Sequence, residues 1–108
     1  MNEAQQIMGS VKFTLQTPIK AHGEEVHELT VNRPTIAQCR QVGRMPYVIA
    51  DTKTGVYSPD LAVVAEYLSV CCGIPPSSVD QLDLLDLNQL AWKICGFFTT
   101  PASSASSS

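Results

Sequence analysis

A chain of 108 residues has the length of one domain with a modest core and leaves little room for a second. Its formal net charge of -3 at pH 7 argues against a nucleic-acid backbone binder, since Lys12, Lys20, Arg33, Arg40, Arg44, Lys53 and Lys93 are scattered and form no basic cluster. Charged residues make up 16% of the chain against about 25% in an ordinary domain, so less charge than usual solvates the surface, and some apolar surface is left for a partner or a second subunit.

Residues 1–10 carry little periodicity and are expected to be a flexible N-terminus. They lack the basic start and apolar centre of a signal peptide, and no apolar run reaches the roughly 18 residues of a membrane span, which predicts a cytosolic chain. Folding is expected over residues 11–98.

Val11, Phe13 and Leu15 alternate with Lys12, Thr14 and Gln16, and Val26, Leu29 and Val31 form a second extended run beyond the turn His22-Gly23-Glu24-Glu25. This pattern is a β-hairpin. Val26 and Leu29 differ in parity, which predicts a bulge or a later strand start in the second run. Thr35 and Gln38 have capping-box spacing after Pro34, and Ile36, Cys39, Arg40 and Val42 suit a short helix that stops at Gly43. Residues 44–57 read either as a second small hairpin about the turn Asp51-Thr52-Lys53-Thr54-Gly55 or as an ordered loop.

Ser58-Pro59-Asp60 is a helix start, with the Ser58 hydroxyl as the expected cap. Leu61, Val64, Leu68 and Cys71 then recur at helical spacing, with Glu66 and Ser69 facing water, and Gly73 and Pro75-Pro76 end the helix. The last helix opens at Asp83 and Asp86 by capping and dipole logic. Its stripe Leu84, Leu87, Ala91, Ile94 and Phe98 is expected to face the core. Leu85 and Trp92 lie one above the other on a flank away from that stripe. They are the candidate partner-binding residues, together with Phe97 at the helix end, although a lone tryptophan such as Trp92 reads equally as a core residue, its large area being the readiest source of stability. The tail Thr99–Ser108 has no large apolar residue to offset ordering entropy and is expected to be disordered. The predicted fold is α+β: a small single domain with an N-terminal β-hairpin followed by about three to four α-helices.

Cys39, Cys71, Cys72 and Cys95 have no CxxC spacing and sit in apolar contexts, so they read as free thiols that pack as small hydrophobes. With His22 and His27 they lack the spacing of a metal site or a Cys-His nucleophile pair, and Cys71 and Cys72 diverge by about 100° on a helix. Asp80, Asp83 and Asp86 lack the glycine and closing glutamate of a calcium loop. No phosphate loop, nucleophile elbow or HExxH motif is present. The expectation is a binding protein, not an enzyme, with no catalytic residues, no metal and no cofactor.

Several motifs occur in a familiar order: the Val11-Lys12-Phe13-Thr14-Leu15 strand with Pro18-Ile19, Leu29-Thr30-Val31 leading into Arg33-Pro34-Thr35, Gly73-Ile74-Pro75-Pro76, Val79-Asp80-Gln81-Leu82, and Gly96-Phe97-Phe98. Over roughly residues 11–98 the chain resembles the small tail assembly chaperones of Mu-like and related tailed phages. The resemblance implies a late, non-enzymatic protein of viral morphogenesis in the host bacterial cytoplasm, absent from the mature virion. Such a protein coats the phage tape-measure protein and keeps it soluble until tail-tube subunits assemble around it. The resemblance further implies a longer frameshifted form through which tail-tube protein is recruited, and it implies neither nucleic-acid nor membrane partners. Self-association as a homo-oligomer is a further reading. A small acidic phage or prophage adaptor or regulator that binds a host protein would share the same fold signals, and a thiol-dependent enzyme is a third reading.

Overall fold

A computed structural model describes residues 10–101. They run β1 (Ser10–Ala21), β2 (Glu24–Asn32), α1 (Ile36–Val42), β3 (Tyr47–Asp51), β4 (Val56–Pro59), α2 (Leu61–Cys72), α3 (Pro76–Val79) and α4 (Leu84–Thr99). The order is α+β, with the expected N-terminal hairpin and four helices among the described residues. Of the two ends expected to be flexible, residues 1–9 and 102–108 lie outside the described residues, while Ser10 opens β1 and Thr99 closes α4.

β1 and β2 pair antiparallel from Ser10↔Asn32 to Ala21↔Glu24. Only His22 and Gly23 remain in the turn, both at positive φ (55° and 78°), as a two-residue hairpin loop that follows the strand twist requires. His22 is held in this conformation by its Nε2, which donates to the Gly73 carbonyl at 2.9 Å. The predicted irregularity lies between Thr14/Glu28 and Ile19/Val26, but most of the extra chain is in β1, which advances five residues while β2 advances two. Phe13, Leu15, Ile19 and Ala21 of β1, with Leu29 and Val31 of β2, form the buried face.

The capping box of α1 is present, with Gln38 N–H donating to Thr35 Oγ1 at 3.1 Å and Thr35 N–H donating to Gln38 Oε1 at 2.9 Å. Gly43 ends the helix at φ 79°. Residues 47–59 form the second hairpin, a separate two-stranded sheet. Its base is anchored by buried Pro46, whose carbonyl accepts from the Asp60 amide at 2.8 Å and the Cys95 thiol at 3.5 Å.

Asp60, not Ser58, caps α2, because β4 continues through Ser58 and Pro59 and the chain turns helical only at Leu61. Val63, Val64, Tyr67, Leu68 and Cys71 are buried, while Leu61 in the first turn stays exposed. Ser69 does not simply face water: its hydroxyl donates to the Ile74 carbonyl at 2.6 Å and ties down the chain beyond the Gly73 stop.

On α4 the core stripe differs from the one expected. Asp86, Leu90, Ala91, Ile94 and Cys95 are buried and Leu87 and Phe98 are half-buried, whereas Leu84 is 82% exposed. The helix is rotated from the predicted phase because buried Asp86 turns inward to the β1 irregularity, which carries Leu84, two residues earlier, to the outside. Its carboxylate accepts from Gln16 N–H at 3.1 and 2.9 Å and from Thr17 N–H at 3.3 Å. Capping alone therefore does not account for Asp86. Asp83 does cap, accepting from Leu85 N–H at 3.0 Å. The core closes where the hairpin face meets Val64 and Leu68 of α2 and Leu90 and Ile94 of α4.

Candidate partner-binding surface

Leu85 and Trp92 stand two turns apart on the outer face of α4, 48% and 47% exposed. A helix that packs one face on a sheet leaves such residues free unless another element covers them. Here the second hairpin covers Trp92 in part. Its ring lies 5.7 Å from that of Tyr57, which continues to Tyr47 at 5.1 Å, Phe98 at 6.4 Å and Tyr67 at 5.2 Å. This row of rings leads from the surface into the core, where the Tyr67 hydroxyl donates to the Arg44 carbonyl at 2.6 Å. Trp92 is thus a surface residue with a rigid aromatic backing.

Phe97 is not part of that face. Five residues beyond Trp92, it turns to the opposite side of α4, where the Arg33 guanidinium sits 5.8 Å above its ring and donates to the Thr100 carbonyl at 2.8 Å. Phe97 and Phe98 line a small hollow with Arg33, Pro34, Ile36 and Cys39. The three predicted residues therefore mark two surfaces, one at Leu85 and Trp92 and one at Phe97.

Beside Trp92 lies an open groove of about 550 Å³ between β1 and α4, lined by Lys12, Phe13 and Thr14 on one wall and Asn88, Gln89, Trp92 and Lys93 on the other. Farther along, β1 is met by side chains. Lys20 N–H donates to Gln81 Oε1 at 2.8 Å, and the Lys20 carbonyl accepts from Gln81 Nε2 at 3.1 Å and Ser78 Oγ at 2.6 Å. Asp86 holds the strand at Gln16 and Thr17. The groove opens where these contacts stop.

The second hairpin adds apolar surface that the sequence reading did not single out. Val48, Ile49 and Val56 are exposed, and Ile49 stands opposite Tyr57 in the strand pair. The apolar runs Tyr47-Val48-Ile49 and Val56-Tyr57, flanking the polar turn Asp51–Gly55, were the available signal. No local pattern joins Lys12 to Lys93, which only the packing of α4 against β1 brings to one groove.

The other reactive groups are spread out. His22 serves the turn, His27 Nε2 lies 2.9 Å from a Glu25 carboxylate oxygen at the surface, and all four cysteines are free thiols. Burial pushes the Cys71 and Cys72 thiols from 9.0 up to about 12 and raises Cys95 as well, which keeps all three protonated and poorly nucleophilic at neutral pH. Among the described residues, no group of three or more His, Cys, Asp and Glu could hold a metal ion, and no helix is long and apolar enough to cross a membrane.

The family model described as phage tail assembly chaperone proteins, E, or 41 or 14, matches residues 12–99, from the groove strand to the last residue of α4. The chain belongs to this family. No curated protein and no solved structure matched it. Membership places the chaperone among proteins that work with protein partners in tail assembly, inside the host cell during that assembly. A hairpin-and-helix scaffold with a half-exposed tryptophan and an apolar second hairpin suits such work, since large exposed apolar patches mark protein contacts.

Proposed function

We propose that the chain binds the phage tape-measure protein in the host bacterial cytoplasm and keeps it soluble until tail-tube subunits assemble around it, without catalysis and without entering the mature virion. The family match over residues 12–99 carries this reading. A tape-measure chain is long and rich in apolar seams, and a small protein shields such a seam by presenting apolar side chains of its own. The Leu85 and Trp92 face of α4 is the proposed contact, with Phe97 as a second, separate one. A longer frameshifted form would connect this contact to the tail-tube protein.

The test is co-expression with the phage tape-measure protein, with its soluble fraction measured with and without the chaperone. A large rise in soluble product together with co-purification is the expected result. A product equally insoluble in both cases would refute the reading and leave a host-protein adaptor as the better account.

A further inference from the structure

The groove between β1 and α4 has an unusual charge for this chain. The formal net charge is -3, yet the groove's lining includes two exposed lysines, Lys12 and Lys93, on opposite walls, and no acid. Neither lysine is in an ion pair among the described residues; the two pairs present are His27–Glu25 and Arg44–Glu66. Glu28 stands diagonally across from Lys12 on the neighbouring strand, in register with Thr14, and forms no ion pair with it among the described residues. The rest of the lining is Phe13, Thr14, Asn88, Gln89 and Trp92, in which the half-exposed Trp92 offers the large apolar surface while Phe13 is buried. A cation on each wall beside an exposed indole complements an apolar side chain flanked by carboxylates.

We infer that this groove receives a segment of the tape-measure protein that sets a bulky apolar side chain against Trp92 and carries acidic residues on both sides, one reaching Lys12 and the other Lys93. The inference rests on the proposed function and adds the chemistry of the segment recognised. The segment lies along the stretch of β1 at Lys12 to Thr14, beyond the part of the strand that Asp86 and Gln81 already hold. Trp92 supplies the buried contact area, and the lysines select the segment and steer its approach.

The experiment uses the full chain and the tape-measure protein co-expressed with it. The lone tryptophan, Trp92, reports occupancy by its fluorescence. In the wild type, a saturable blue shift is expected, with affinity falling at least about fivefold between about 50 and about 300 mM salt, as a contact made by exposed charges requires. Lys12→Glu/Lys93→Glu should weaken binding about tenfold or more, and Lys12→Gln/Lys93→Gln by an intermediate factor. Both lysines are exposed, so circular dichroism should not change; the salt series on the wild type stands as the deciding measurement if the glutamate variant fails to fold.

Binding that ignores both salt and charge would overturn the inference while the chaperone reading stands. Failure of the wild type to bind the tape-measure protein at all would overturn both. A concentration-dependent dimer that Trp92→Ala abolishes, with no charge dependence, would assign the groove to a second copy of the chain and overturn the inference as well.

Discussion

Asp86 holds Gln16 across the fold: the carboxylate of a fully buried aspartate on α4 accepts the backbone N–H of a residue in the irregular part of β1, at 3.1 and 2.9 Å. The same carboxylate takes the Thr17 amide at 3.3 Å. One side chain thus satisfies two strand amides and sets the rotation of α4. Asp86→Ala leaves both amides without their acceptor, so a stability loss of about 3 kcal/mol is expected, with a smaller loss for Asp86→Asn, which keeps one acceptor oxygen. Chemical denaturation reads the difference, and accelerated amide exchange at Gln16 and Thr17 localises it. An unchanged midpoint in the alanine variant would show that the clamp does not contribute.

Trp92 rests on Tyr57 and is nearly half exposed. Trp92→Ala is therefore expected to cost about 1 kcal/mol of stability, the scale of a lost aromatic pair, and not the about 3–5 kcal/mol of a core aromatic. Partner binding should weaken by about 2 kcal/mol or more. A thermal melt beside a pull-down separates the two effects. A collapsed melting temperature with retained binding would remove Trp92 from the interface.

The thiols are expected to be silent in function. Replacing Cys39, Cys71, Cys72 and Cys95 with alanine should preserve co-purification of the partner once stability is corrected for the buried volume lost at Cys71 and Cys95. Loss of binding in a folded variant would contradict a binding role that does not use thiol chemistry.

Burial raises Cys71 and Cys72 from 9.0, and Tyr67 from 10.0, each to about 12 in the folded chain. The unfolded chain therefore releases these protons first. Stability from these groups is fully present below about pH 9 and falls as the pH climbs towards about 12. Denaturation midpoints should be flat from neutral pH to about 9 and then decline. The decline should be smaller in Cys71→Ala/Cys72→Ala, and an identical alkaline decline in that variant would assign the effect elsewhere.

Removal of residues 102–108 should leave the melting temperature unchanged, since the segment holds only serine and alanine. Removal from Thr99 onward should lower it slightly, because the Thr100 carbonyl accepts from Arg33 at 2.8 Å and the Thr99 hydroxyl donates to the Cys95 carbonyl at 3.2 Å. Mass spectrometry of the infected or induced cell tests the longer frameshifted form; finding only the short product, from a gene without a slippery run, would remove it from the account.

The order of elements was legible because its signals are local. Thr35 with Gln38, Gly43, Gly73, Pro75-Pro76 and Asp83 act on backbone groups within a few residues, so their spacing along the chain is their mechanism. The exposed flank at Leu85 and Trp92 followed from helical periodicity in the same way. Ser58 misled because a hydroxyl before a proline can cap a helix or end a strand, and pairing of Ser58 with Val48 decided for the strand.

The sequence by itself determined the α+β order, the helix stops and the N-terminal hairpin. Only the tertiary structure decided that Asp86 turns inward, that Leu84 turns out, that Phe97 and Trp92 face different ways, and that Lys12 and Lys93 share one groove. The phase of a helix is set by the few distant contacts it makes best, here the amides of Gln16 and Thr17, and a contact between residues 70 apart leaves no periodic trace in the chain.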